Sequence, residues 1–416
     1  MKHQLVIPGT IAVNSIVRKL GKLAMLLYIV TSFVANAEVL PQSVISICLY
    51  AFVFLGAVSL VVSKSLVVHN LYVVWYGIFC ASSFVWVPIS LSYWPGNVWG
   101  DTIYQMAVGL LISLAFTQFL KSKKDINLLA YAYVLSAVLL MILLAVQGRL
   151  EEDDRLGETV MGNANTFATM YMVAVIFAFW LLLNRKKILE RLLLCVAVAV
   201  IFYGLLLSGG RKFILVPFLV LYIMLLLRKD KRGRSHIIRY TVLIAVLLLG
   251  LIWLMMENEM LYEVVGYRME YLFNMLRGEG AIGASNAMRK NLMNLAFEKG
   301  FESPIWGHGF DSFKNLAQQK LNFYAYSHNN WTEIWYNYGL IGLIAYYWLY
   351  VKLAIGLWKL KKVAPDMASF GIACIVSIFV FEYGAVSYYM YPVQMLLCVV
   401  GVMYFLSLKE NANGKD

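Results

Sequence analysis

"LLLSGGRKFILVPF", residues 205–218, interrupts an apolar run with two glycines and two adjacent cations, Arg211 and Lys212. Whether the interruption is a turn between two membrane spans decides how the whole chain is counted. Of the 416 residues, 61% are hydrophobic and 14% charged, and the mean hydropathy is +0.72. Soluble domains hold about 45–50% apolar and about 25% charged residues, so this is the composition of an all-α polytopic membrane protein. A spanning helix needs about 20 mostly apolar residues. About twelve segments qualify, centred near Tyr28, Val53, Phe79, Leu111, Ser136, Val173, Val198, Val220, Ala245, Ile344, Ile375 and Val399. The break at 209–212 then separates the seventh span from the eighth.

The charges set the orientation. With the N-terminus in the cytoplasm, the inner connections carry Lys64, "KSKKD" (121–125), "NRKK" (184–187), "RKDKRGR" (228–234), "KLKK" (359–362) and the tail. The acidic run "EEDD" (151–154) falls outside. Cations inside are the normal topological bias. The net charge of +12 is therefore an orientation signal and excludes a nucleic-acid footprint. The N-terminus, with Lys2, Arg18, Lys19 and Lys22, reads as a cytoplasmic lead and not a removable signal. The five cysteines sit in apolar runs without paired spacing, which supports neither a disulfide framework nor a zinc site.

This count gives residues 1–256 as spans one to nine, 257–331 as one large extracytoplasmic loop domain, and 332–416 as spans ten to twelve with a cytoplasmic tail. Within the loop, Ser285 and Gly300 bracket a predicted helix with an apolar stripe of Met288, Leu292, Leu295 and Ala296. Gly307 and Gly309 mark a turn after it, beside His308, whose surroundings suggest a structural role.

"SGGRK" lies outside, against the usual bias. Gly209 and Gly210 permit unusual backbone and close ligand approach. The following span presents its N-terminus there, and a helix N-terminus beside a guanidinium suits phosphate oxygens. An arginine snorkelling to lipid headgroups is the competing reading. In "YSHNNWTEIWYNYG" (326–339), Ser327 is expected to cap the tenth span and place His328 in its first turn. A helix N-terminus would keep that imidazole neutral, able to accept a proton, with Glu333 one to two turns on. Arg268 and Arg289 have a solvated-face alternative. Asn163 and Asn165 open the sixth span as caps and sugar hydrogen-bonders. The "EEDD" run reads as solvated loop, not as a metal site.

Four stretches together resemble the O-antigen ligase and O-antigen/capsule polymerase superfamily: "SGGRKF", "RLGETVMGNANTFA", "AMRKNLMNLAFEKGFESPIWGHGF" and "SHNNWTEIWYNYGLIGLIAYY". The resemblance implies a GT-C-like fold in the bacterial plasma (inner) membrane, with both termini cytoplasmic. It implies inverting glycan transfer on the outer face, from an undecaprenyl-diphosphate-linked donor to a saccharide acceptor. The catalytic set it implies is Arg211, Arg289 and His328, with Glu333 tuning the base. Gly209, Gly210, Lys212, Arg155, Asn163, Asn165, Asn329 and Arg268 are expected to bind substrate. No metal and no cofactor are expected, because a diphosphate is already a good leaving group and the first outer loop offers only Glu38. A chain-length regulator is a further expected partner beside the bilayer. Polymerase is favoured over ligase because polymerases are more numerous. A flippase or exporter of lipid-linked oligosaccharide is the reading from another class, and transporters instead place charges within spans near the midplane.

Overall fold

The computed structural model describes residues 8–63, 70–97, 99–150, 155–158, 160–228, 235–277 and 284–413. Among them every regular element is helical. The long helices are α1 (Pro8–Val34), α2 (Gln42–Ser63), α3 (Leu71–Tyr93), α4 (Gly100–Phe119), α5 (Lys123–Val146), α6 (Ala164–Asn184), α7 (Ile188–Leu207), α8 (Arg211–Leu227) and α9 (Ser235–Glu257). A single turn α10 (Glu259–Leu261) runs through a π turn, Tyr262–Gly266, into α11 (Tyr267–Leu276). Then come α12 (Ala284–Gly300), α13 (Phe313–Leu321), α14 (Asn330–Leu360), α15 (Pro365–Phe381) and α16 (Tyr391–Asn413). Helices are forced here because lipid offers the backbone no hydrogen-bond partner. Side chains start several of them: Asn70, Ser122 and Asn163 each accept a backbone N–H at a helix N-terminus.

Eleven of the described helices are long and apolar enough to cross a membrane. Where a span centred on Val220 is expected, the structure has α8, a helix of 17 residues that is not among those eleven. Successive long helices alternate in direction, so their ends gather into two sets. One set carries α10–α13, and we call it the loop end. At the centre α6 is sheathed by α5, α7 and α8, and α15 packs against α8, α14 and α16. By contrast α9 touches the bundle mainly through α8 and the π turn, and its apolar side chains face outward.

Glu382, at the end of α15, accepts hydrogen bonds from Tyr346 (3.2 Å), Tyr347 (3.0 Å), Tyr350 (2.7 Å) and Ser387. All five cysteines are free.

One break in α14 shapes the loop end. Gly339 has φ +63 and ψ −159, so Asn330–Tyr338 and Leu340–Leu360 are separate helical pieces. A break orphans amides on one side and carbonyls on the other. The segment 304–309 supplies partners for both. Leu340 N–H donates to Pro304 O (2.8 Å) and Ile341 N–H to Ile305 O (3.3 Å). His308 N–H donates to Tyr336 O (2.8 Å) and Gly309 N–H to Asn337 O (2.9 Å). Gly307 is needed for this contact: its φ is +69, and a Cβ would stand 2.6 Å from the Asn337 backbone. His308 stacks flat on Tyr336 at 4.3 Å, as the structural reading of that turn expects.

Helix α12 starts at Ala284, one residue before the expected cap. Its Leu292 and Ala296 bury against Phe313, Leu316, Ala317 and Tyr336, with Met288 and Leu295 beside them. The "EEDD" run lies outside the described residues.

Candidate active site

The Gly209 turn gathers arginines from three parts of the chain. Gly209 itself has φ +66, and a Cβ there would meet Val264 O at 3.0 Å, Arg155 Nε at 3.2 Å and Arg268 Nη1 at 3.3 Å. Gly210 differs from expectation. Its φ is −94, open to any residue, and what demands glycine is the Phe213 ring, 2.4 Å from a built Cβ. Arg155 donates Nε–H to Ser208 O (2.9 Å) and an Nη2–H to Asn165 Oδ1 (3.4 Å), and lies 3.6 Å from Glu158. Arg268 donates to Gly209 O (3.3 Å) and to the Tyr267 hydroxyl (2.8 Å). Arg211 donates to Arg268 O (2.8 Å) and to Asn286 Oδ1 (3.4 Å).

Lys212 turns the other way. Its ammonium donates to Gly384 O and sits over the rings of Phe213 (5.0 Å) and Phe381 (4.9 Å). Arg289 is exposed on α12 and within electrostatic reach of Arg155 and Arg211. None of Arg211, Lys212, Arg268 and Arg289 forms an ion pair among the described residues. Burial, and next the charge of Arg268, holds the Arg155 guanidinium below its usual value. This crowding of like charge makes the cluster the candidate anion site.

The His328 turn corrects the expected cap. Asn329, not Ser327, caps α14, its Oδ1 accepting from Trp331 N–H (2.9 Å) and Thr332 N–H (3.0 Å). Its Nδ2 donates to Tyr383 O (3.1 Å), so the Asn329 side chain is spent on the framework. Asn163 is likewise taken up, accepting Asn165 N–H at 2.7 Å. His328 therefore precedes the helix instead of entering it, and its φ is +60, a left-handed backbone rare outside glycine. Its neutrality has another cause than the helix N-terminus. Burial, then Arg289, then Lys212, pushes the imidazole down to about 4. Tyr326 packs on the ring at 4.3 Å.

Glu333 does not reach for His328. Its Oε2 accepts Ser327 N–H (2.6 Å) and its Oε1 accepts from Asn337 Nδ2 (3.3 Å). It thereby ties down the residue before His328. A second tie escaped the sequence reading. Asn330 Oδ1 accepts Ser387 N–H (2.8 Å) and Tyr388 N–H (3.2 Å), and its Nδ2 donates to Tyr347, itself bound to Glu382. The signal available was an acid inside an apolar run, "IFVFEYG" (378–384). Glu38, the lone acid of the first expected outer loop, lies 3.3 Å from Arg149.

Helices long and apolar enough to cross a membrane, with a cluster of arginines beside a buried histidine turn at one end, define an integral membrane protein whose candidate site is that cluster. Residues 196–347 match the family model described as O-antigen ligase. That segment holds the Gly209 turn, Arg289 and His328, and it supports the superfamily that the motifs resemble, that of O-antigen ligases and polymerases. Its members are glycosyltransferase-like enzymes acting on lipid-linked glycans. No curated protein matches the chain.

Proposed function

We propose that this chain is a polysaccharide polymerase with a GT-C-like fold. It transfers a growing glycan from an undecaprenyl-diphosphate carrier onto a lipid-linked repeat unit at the outer face of the bacterial plasma membrane. The loop end faces outward in this reading, because the opposite end carries the cation-rich connections. The observation that carries it is the set Arg211, Lys212, Arg268 and Arg289, without ion pairs among the described residues, near the half-buried imidazole of His328.

Arg211, Arg268 and Arg289, with Arg155 behind them, hold the diphosphate, and Lys212 adds its charge. The acceptor hydroxyl oxygen attacks the anomeric carbon from the face opposite the diphosphate, which inverts that centre. The bond to the diphosphate oxygen breaks, its electron pair leaves with the phosphate, and the hydroxyl proton goes to His328. Charge grows on the leaving oxygen as the bond breaks, so the fixed cations favour the transition state over the ground state. They do the work a metal would do, so the proposed reaction is metal-independent, and EDTA is expected to leave the rate unchanged. Glu333 acts by holding the strained His328 turn. Between α8 and α9, Arg211 lines a small apolar pocket together with Ile214, Leu248, Ile252 and Met255.

An imidazole at about 4 is a weak base at neutral pH. Binding a diphosphate beside Arg289 and Lys212 offsets the charges that depress it. Donor binding thus raises the base toward its working range before the acceptor is deprotonated.

A ligase would share this donor site and differ in its acceptor. The test is transfer by the purified chain from a lipid-diphosphate-linked glycan, offered a lipid-linked repeat unit and lipid A–core in parallel. Product on the repeat unit supports the polymerase, and product on lipid A–core alone replaces it with the ligase. No transfer to either would remove the proposed activity.

A further inference from the structure

At the C-terminal end of α12 and in the turn after it, four large apolar side chains face away from the protein. Phe297, Phe301, Ile305 and Trp306 are 52–59% exposed. They are ordered: Phe297 and Phe301 meet edge to face at 5.1 Å, and Phe301 meets Trp335 at 5.3 Å. Trp335 donates to Phe297 O at 3.1 Å, and Gly300 admits that indole where a Cβ would stand 2.0 Å from it. So the arm is anchored, and among the described residues the exposed part of its apolar side has no protein partner.

Two independent markers give its depth. The first is the break in α14. The piece Leu340–Leu360 is about 30 Å long at 1.5 Å per residue, which matches the hydrocarbon core of a bilayer. Its loop-end boundary therefore falls near Leu340, and Pro304 and Ile305 hydrogen-bond at that very level. The second is α3. Trp86, well inside that helix, donates to Trp306 O (2.6 Å), and its own carbonyl accepts Phe310 N–H (3.2 Å). Trp86 precedes the end of α3 at Tyr93 by two helical turns, about 10 Å. The turn thus sits below the helix end, at the depth of the headgroup–acyl boundary, where aromatic side chains concentrate. The polar neighbours Lys299 and Glu302 pair with each other beside it.

We infer that this arm is seated in the lipid leaflet at the loop end, its occupant being the headgroup–acyl boundary and not water or another protein. The large loop is then partly immersed. Arg289, on the same helix, is held at a height that the arm sets, eight residues or about 12 Å from Phe297.

The test uses the full chain in nanodiscs of phosphatidylethanolamine and phosphatidylglycerol. Nitroxides are attached at Phe301→Cys, Ile305→Cys and Trp306→Cys, with Lys290→Cys on the exposed part of α12 as reference. The labelled native-cysteine chain supplies the background signal. Relaxation by oxygen, which concentrates in lipid, is compared with relaxation by a water-soluble nickel chelate. The expected result is strong oxygen and weak nickel access at 301, 305 and 306, with nickel reaching 290 several-fold better. Nickel access at the three sites equal to that at 290 would place the arm in water and overturn the inference. Exclusion of both relaxants would mean a protein covers it, such as a second copy, and would overturn it equally. Three label sites keep the result readable if one variant does not fold.

Discussion

Arg18 and Lys22, at the end of the bundle away from the loop, converge on one carboxylate, Asp125, and Lys123 and Arg228 share Asp366. Arg211 and Arg268, at the loop end, donate instead to backbone carbonyls, and like-charged Arg155 stands close by. The same residue types serve two purposes. Where two cations share one buried or half-buried carboxylate, the ion pairs fasten helices to one another. Where neutral groups orient the guanidinium groups of Arg211 and Arg268, their charge is left without a carboxylate among the described residues. Like charges at short range cost energy, and an anion bound between them, as proposed, would relieve that cost.

The comparison breaks first at His328. His328→Ala is expected to lower transfer at least about a hundredfold while donor binding persists, since general-base contributions run about 10²–10⁴. The check is single-turnover transfer beside a donor-binding titration, and near-normal turnover would leave the loop end without its base.

Arg211→Lys keeps the charge but loses the planar fork. It is expected to cost at least about tenfold in transfer, or about 1.4 kcal/mol of barrier. Arg18→Lys, the same change at the paired end, is expected to leave the rate within about twofold, as exposed pairs contribute about 0–1 kcal/mol. Equal effects of the two changes would erase the distinction between the ends.

The pH dependence sharpens it further. His328 is depressed to about 4, so the acid limb of kcat/KM for the donor, which reports the donor-free protein, should lie near pH 4. The limb of kcat, which reports the donor complex, should lie higher, because the diphosphate offsets Arg289 and Lys212. Arg289→Gln should raise the first limb and narrow the gap. Superimposed limbs would show that the donor does not neutralise these cations.

The smallest effect on transfer is expected at the paired end. Asp125→Asn removes the shared acceptor of Arg18 and Lys22, and should lower thermal stability by about 1–3 kcal/mol. Donor affinity, measured by titration, should stay unchanged, and a matching loss of affinity would mean the ends are coupled.

Some of this was readable from the residues in order. The spans follow from hydropathy alone, because lipid leaves the backbone one solution. The stripe of α12 appears because a 3.6-residue period survives in any context. The local cap at α14 did not resolve, since Ser327 and Asn329 are equally good caps and tertiary hydrogen bonds chose between them. Glu333 looked like a partner for His328 by spacing, yet its carboxylate turns to Ser327. The meeting of Arg155 and Arg268 at Gly209 joins residues far apart in the chain, which no local pattern encodes. Nor does "YGLIG" reveal which glycine breaks the helix. The contact from 304–309 selects Gly339, while Gly342 stays helical against Tyr338.

That selected break constrains how the chain can vary in length. Residues 304–309 serve both broken ends of α14 at once, so adding or removing one residue there would shift both sets of hydrogen bonds and open the splice. The stretch from Asn322 to Ala325, largely exposed and outside any helix, carries no such double duty. Extra residues should be accepted there and refused between Pro304 and Gly309, so the loop has one elastic segment and one of fixed length.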